Sequence, residues 1–208
     1  MSDFIINTDD NVYIPAEDSY MLADNLEITE SQSVLEIGTG SGIVAMYASR
    51  LTDNITVTDI NFDACELARK NFEANNIENI EILFGNLFEP VKNRKFDVIL
   101  FNTPYLPTKE GEVLDDTLNY AFDGGLNGRK VIDLFLNEVG NHLNDGGIVQ
   151  LIQSSLSGND ETLEKLDKLG FIAEIAESEH FFFEDITLIN AYKRCKGDMK
   201  WNNGKCKF

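Results

Sequence analysis

Cysteine, histidine and basic residues are scarce in this chain, and each shortage removes a class of function. The three cysteines, Cys65, Cys195 and Cys206, offer neither the even count of a disulfide framework nor the spacing of a metal site. With only two histidines, His142 and His180, a His/Cys zinc site is not expected, and no metal is assigned. Lys and Arg number 17 against 36 Asp and Glu, for a net charge of −19. Phosphate contacts from Lys and Arg dominate nucleic-acid binding. Nucleic acid is therefore a poor partner unless a local basic patch or a second protein supplies the grip, and the charge also serves solubility. No apolar run approaches the ~20 residues of a membrane span. The opening MSDFIINTDDN has neither the basic start nor the apolar core of a signal peptide. Together these absences lead to the expectation of a soluble cytoplasmic protein with no membrane partner.

What is present is an alternation. The length of 208 residues suits one domain. Pro15 followed by acids and an apolar stripe predicts a helix over residues 15–28. The short apolar runs SVLEIG, NITVTDI, IEILFGN, FDVILFN and GGIVQLIQS read as strands. The segments SGIVAMYASRL, NFDACELARKNFEANN, GRKVIDLFLNEVGNHL and DETLEKLDKLG read as helices. FIAEIAESEHFFF and DITLINAYKR follow without a helix between them, as a hairpin would. The expected fold is α/β: a Rossmann-like, mostly parallel seven-stranded sheet with one antiparallel strand and helices on both faces. Residues 103–127 form a long connection, expected to be functional or partly helical. The domain is expected to span residues 1–194, and the polar, relatively basic tail over 195–208 to be mobile.

Ligands of such sheets bind beyond the carboxyl ends of the strands, so the loops there carry the candidates. After the first strand comes EIGTGSG, with Glu36, Gly38, Gly40 and Gly42. The glycines permit a tight turn and close approach to a ligand, although a plain turn would use them too. The third glycine of a dinucleotide fingerprint is absent, since Ile43 holds that place. That argues against NAD or FAD, while Glu36 suits a cationic ligand end such as an α-ammonium. Asp59 closes the second strand about 20 residues beyond Gly38, where an acid can hold two ribose hydroxyls. Alternatively, Asp59 or Asn61 caps the next helix. After the third strand, Asn86 and Leu87 could border an adenine, or form an ordinary Gly-Asn turn. The fourth strand delivers FNTPYLP, in which Asn102 precedes Thr103, Pro104, Tyr105, Leu106 and Pro107.

Taken together, these residues resemble the class I S-adenosyl-L-methionine-dependent methyltransferases. EIGTGSG resembles their first motif, Asp59 their ribose acid and NTPYLP their NPPY motif. A narrower resemblance lies in VYIPAEDSYML at 12–22 and FDGGLNGRKVIDLF at 122–135. These are similar to the archaeal and eukaryotic branch of the HemK-type glutamine methyltransferases, over roughly residues 11–193. The resemblance implies methyl transfer to the glutamine of the GGQ loop of a class I peptide release factor. It implies cofactor contacts from Ser19, Glu36, Gly38, Gly40, Gly42, Asp59, Asn86, Leu87 and Asn102. It implies acceptor contacts from Asn102, Thr103, Pro104, Tyr105 and Leu106. It also implies a small zinc-ribbon activator subunit paired with the edge strand IEILF.

Two positions depart from the family pattern: Asn86 stands for the usual Asp, and Thr103 for the first proline of NPPY. Asn86 can still accept from adenine, at some expected loss of affinity. Thr103 keeps the backbone carbonyl that the resemblance makes an acceptor for the reacting nitrogen. It also keeps the extended bias of a β-branched residue before Pro104. The expectation is retained activity in a less rigid pocket. Two other readings share these motifs: an adenine N6-methyltransferase on DNA or RNA, and a non-catalytic S-adenosylmethionine-binding interaction subunit.

Overall fold

Strands here are near-continuous apolar runs because both of their faces are covered. Successive side chains of a strand point to opposite faces, and each run feeds two cores. In β1 (Ser33–Ile37), Val34 joins one core and Leu35 and Ile37 the other. In β4 (Phe96–Asn102), Val98 and Leu100 join the first and Ile99 and Phe101 the second. The computed structural model describes residues 4–107, 123–181, 183–194, 200–202 and 205–207. Most of the 103–127 connection, and tail residues 195–199, 203, 204 and 208, lie outside the described residues.

The remaining elements are α1 (Glu17–Asp24), α2 (Ile43–Ala48), β2 (Asn54–Asp59), α3 (Phe62–Ala74), β3 (Ile80–Phe84), α4 (Lys130–His142), β5 (Leu143–Ser154), α5 (Asn159–Lys168), β6 (Phe171–Phe181) and β7 (Glu184–Lys193). They form one seven-stranded sheet in the order β3-β2-β1-β4-β5-β7-β6. β7 alone runs antiparallel to its neighbours, β5 and β6. The anticipated architecture is therefore present, with α1, α2 and α3 on one face and α4 and α5 on the other. In the tail, Lys200–Asn202 and Lys205–Lys207 pair as a short antiparallel ribbon, β8 and β9. No helix among the described residues is long and apolar enough to cross a membrane.

Two helices are shorter than the sequence pattern suggests, each for a local reason. The helix expected over 15–28 stops at Asp24, because Asn25 turns its side-chain amide back onto the Met21 carbonyl at 2.9 Å. The chain is then moored to the sheet by fully buried Gln150. Its Oε1 accepts from the Glu27 N–H at 2.8 Å, and its Nε2 donates to the Asn25 carbonyl at 2.8 Å and to Asn190 Oδ1 at 3.0 Å. α2 begins only after Gly42, which holds φ +83° as its N-cap, and gives way to turns after Ala48.

The core behind β4 is aromatic. Phe135 of α4 is wholly buried and contacts Phe101 at 5.1 Å and Phe88 at 5.5 Å between ring centroids. Phe135→Ala is expected to lower unfolding free energy by about 3–5 kcal/mol, measured as a reduced urea midpoint with an unchanged slope.

Candidate active site

The strand order reverses between β1 and β4, and there the carboxyl ends of the strands open into a cleft of about 500 Å³. Its floor is the glycine loop. Gly38, Gly40 and Gly42 take φ of +67°, +55° and +83°, a region costly for other residues. A side chain at Gly40 would meet no protein atom, whereas one at Gly42 would lie 2.6 Å from the Phe72 ring. Gly40 therefore keeps the cleft open, while Gly42 serves packing behind it and does not line the cleft. Asn71, fully buried on α3, fixes the loop by donating to the Ser41 carbonyl at 2.8 Å. Its oxygen accepts from the Asn7 N–H at 2.7 Å, which ties the N-terminal segment alongside.

Two acids stand over this floor. Asp59, at the end of β2, accepts from the N–H groups of Gly40 at 2.9 Å and Asn61 at 2.8 Å. The cap of α3 is Asn61, whose side chain accepts from the Asp63 N–H at 3.0 Å, so capping does not explain Asp59. A carboxylate has about four lone-pair positions, and Asp59 also lines the cleft. Burial pushes its proton affinity up, against those two N–H groups and that of Ile60. Burial pushes the Glu36 carboxyl up to about 8; the Thr39 hydroxyl, donating at 3.0 Å, opposes the shift and the Asp59 charge adds to it. Exposed Asn86 and half-buried Leu87 border the same end of the cleft.

The other wall is FNTPYLP. Asn102, Thr103, Pro104, Tyr105 and Leu106 all line the cleft. Asn102 donates through Nδ2 to Asp18 Oδ2 at 3.0 Å, and its Oδ1 is buried without a hydrogen-bond partner. The Tyr105 hydroxyl donates to the same Asp18 oxygen at 3.2 Å. Buried Thr103 sends both its N–H (3.3 Å) and its hydroxyl (2.8 Å) to the Ile152 carbonyl of β5. Where the resembled motif has a proline, this chain thus has a tie to the neighbouring strand.

The GGLNGR stretch braces this wall from outside. The Gly124 N–H donates to the Leu106 carbonyl at 3.0 Å, and Ser157 Oγ donates to that of Tyr105 at 2.8 Å. Gly128 holds φ +73° so close to the Tyr105 carbonyl that no side chain fits. Arg129, almost wholly buried, locks the brace to α5. It donates to the carbonyl of Ser157 at 2.6 Å and to Thr162 Oγ1 at 3.0 Å, and pairs with Asp133 at 3.0 Å. Its Nε lies 3.2 Å from Glu161, an ion-pair distance without hydrogen-bond alignment.

Among the contributors to the cleft that escape the sequence reading are Asp18, Glu184 and the N-terminal segment. Asp18, in the PAED stretch, is buried and takes hydrogen bonds from five donor groups. Ser19 lines the cleft, but its hydroxyl donates to Asp18 Oδ1 at 3.2 Å. Glu184 opens β7 and also lines the cleft, with Oε2 buried and unpartnered; nothing in its local sequence marks it. The N-terminal segment contributes Asn11, Val12 and Tyr13 to the wall, and Asn61 Nδ2 holds the Asn11 carbonyl at 2.8 Å. The polarity of Asn7, Asn11, Asn61 and Asn71 was the available signal.

Among solved structures, the Mtq2–Trm112 complex of E. cuniculi, described as methylating the translation termination factor eRF1, shares this architecture. The TM-score is 0.68 at 26% identity, covering 88% of this chain and 99% of that one. A methyltransferase from Pyrococcus furiosus gives 0.66 at 25% identity, over 91% and 88% of the two chains. The sheet and its cleft are thus those of a Rossmann-like, S-adenosylmethionine-dependent methyltransferase. The methyltransferase small domain model matches residues 7–183, and the chain belongs to that family. A Methanocaldococcus jannaschii relative, provisionally named a protein N5-glutamine methyltransferase, is 48% identical over 88% of this chain and 92% of its own. Human methyltransferase HEMK2 is 28% identical over 88% and 90%. The cleft suits the cofactor: there is open space beside Gly40, acids flank a glycine floor, and a free acceptor sits at the far wall.

The raised Glu36 carboxyl has a consequence for pH. The folded protein holds this proton up to about pH 8, while the unfolded chain releases it near its ordinary value of 4.5. The stability it contributes is full below about pH 4.5 and declines as pH rises toward about 8. Glu36→Gln is expected to remove that slope. Urea titrations at a series of pH values from 5 to 9 should show the variant gaining on wild type, by on the order of a few kcal/mol at the upper end.

Proposed function

We propose that this methyltransferase modifies the side-chain amide nitrogen of a protein glutamine, that of the GGQ loop of a class I peptide release factor. The observation that carries the reading is Asn102 Oδ1, a buried acceptor without a partner at the mouth of the cleft. A planar NH2 group is the complement of such an acceptor, and leaving it unmatched would be costly. The names of the Methanocaldococcus relative and of a release factor glutamine methyltransferase from Aquifex aeolicus support the same acceptor.

Glu36 would hold the cofactor's ammonium end, the carboxylate of Asp59 would take the ribose hydroxyls, and Asn86 and Leu87 would border the adenine. When bound, the cofactor supplies an electrophilic methyl; the nitrogen–carbon bond forms as the carbon–sulfur bond breaks, and the nitrogen's extra proton goes to solvent. An amide nitrogen is a weak nucleophile, so the chain's chief task is alignment. Asn102 Oδ1 accepts one N–H of the acceptor amide and the Thr103 carbonyl the other. Both acceptors gain strength as the nitrogen becomes positive. Tyr105 covers the flat amide, with Pro104 and Leu106 completing the slot. A strong base is not needed, which fits a wall without histidine.

A small zinc-ribbon activator would pair with β3. That strand is one of the sheet's two edges, and beside it Phe84 and Phe62 of α3 are each 59% exposed and meet edge to face at 5.9 Å. Exposed apolar edges of this kind are normally covered. The Trm112 subunit of the Mtq2 complex supports a small partner of this sort.

Labelled S-adenosylmethionine offered with a GGQ release factor, DNA and tRNA is expected to label the release factor alone. Label on DNA or tRNA would favour an adenine acceptor, and no label on any would favour a binding subunit. Asn102→Ala is expected to lower turnover by about 10²–10³-fold while calorimetry shows cofactor binding retained.

A further inference from the structure

Asp18 lies in the cleft wall, where it joins Tyr13 and Ser19 to Asn102 and Tyr105 of the acceptor wall. Its Oδ1 accepts from the Ser19 N–H at 2.6 Å and the Ser19 hydroxyl at 3.2 Å. Its Oδ2 accepts from Asn102 Nδ2 at 3.0 Å and the Tyr105 hydroxyl at 3.2 Å. The Tyr13 hydroxyl bridges both oxygens, at 3.0 and 3.1 Å. A primary amide can sit in either of two flipped orientations that differ little in shape. An ionised carboxylate only accepts hydrogen bonds, so it admits the Asn102 NH2 and repels the Asn102 oxygen. Asp18 therefore decides which atom of Asn102 faces the cleft.

The same contacts remove donors from the wall. Asn102 Nδ2 and the hydroxyls of Tyr13 and Tyr105 are all turned to Asp18. Two buried acceptors in the cleft are left without a hydrogen-bond partner: Asn102 Oδ1 and, at the opening of β7, Glu184 Oε2. Burial and the Asp18 charge push the hydroxyls of both tyrosines further from ionisation, so they remain donors to Asp18 throughout the working range.

We infer that Asp18 is a positioning residue of this site: it fixes the Asn102 amide with its oxygen outward and occupies the Asn102, Tyr13 and Tyr105 donors, so that the slot at Asn102 admits a group bearing N–H and disfavours a carboxylate of the same shape. This rests on the proposed amide acceptor for its substrate consequence, but the orientation of Asn102 can be read without any acceptor. In Asp18→Asn the shape is kept and the charge lost, and one amide oxygen can no longer satisfy all the donors.

The side-chain amide signals of ¹⁵N-labelled Asn102 are expected to shift and to exchange faster with solvent in Asp18→Asn, recorded well below the melting temperature of the variant. Unchanged Asn102 signals would overturn the assignment, whatever the acceptor proves to be. With a GGQ peptide, Asp18→Asn is expected to lower kcat by about 100-fold, with KM changed far less and Asp18→Glu restoring part of the loss. Added to Asn102→Ala, it is expected to cost nothing further; multiplying losses would overturn the inference. Wild type is expected to bind a peptide with Glu for the acceptor Gln at least about tenfold more weakly, and Asp18→Asn to narrow that gap. Equal narrowing in a control Tyr20→Phe variant would also overturn it. Failure of wild type to methylate any GGQ peptide would instead count against the acceptor, with the Asn102 signals still deciding the role of Asp18.

Discussion

One hydrogen bond, from the Asn102 amide to the Asp18 carboxylate, is where the architecture of this protein converges. It joins the first helix to the end of a central strand, across 84 residues of chain. A buried anion is costly unless its lone pairs are filled, and here five donor groups fill them. Both partners must arrive in register. β4 is held between β1 and β5 by regular pairing. The first helix has no side-chain N-cap and few turns. Its placement rests on the burial of Met21, Leu22 and Ala23 in the first core, on polar moorings from Gln150 and Asn190 beyond its far end, and on Tyr13 in front of it.

The two distinctive stretches around the core, PAED and GGLNGR, turn out to serve the same seven residues of wall. PAED supplies the carboxylate that orients Asn102. GGLNGR supplies the outer brace, with Gly124 and Ser157 holding the carbonyls of Leu106 and Tyr105. The buried guanidinium of Arg129 fastens that brace to the Ser157 and Gly158 carbonyls and to the Thr162 hydroxyl of α5, and pairs with Asp133 of α4. Removing the guanidinium would leave several buried acceptors unmatched, the costly direction for a buried polar cluster. The wall is thus rigid by polar closure on both sides rather than by its prolines alone.

The sheet was legible because its strands are buried on both faces and read as apolar runs, and because Gly and Asn punctuate them. The glycine floor, Asp59 and the Asn102–Leu106 wall were legible because strand ends and loop lengths fix where such residues emerge. Asp18 was hidden in plain view: a single acid in the first turn of a helix is ordinary, and its significance lies wholly in partners distant in sequence. Glu184 was hidden for the same reason, since a hairpin start carries many acids. The early stop of α1 at Asp24 depends on Asn25 and on Gln150, one residue in a strand more than a hundred positions away. No periodicity encodes such a contact.

Thr103 illustrates two ways of making a chain stiff. A proline ring limits its backbone by covalent geometry, which heating does not relax. A threonine that gives both its donors to one carbonyl limits it by attraction, and attraction yields progressively to thermal motion. The wall of this pocket is therefore ordered by a side-chain tie where the NPPY pattern it resembles has a proline. A single side chain thus links the order of the acceptor wall to temperature in a way that a proline ring would not.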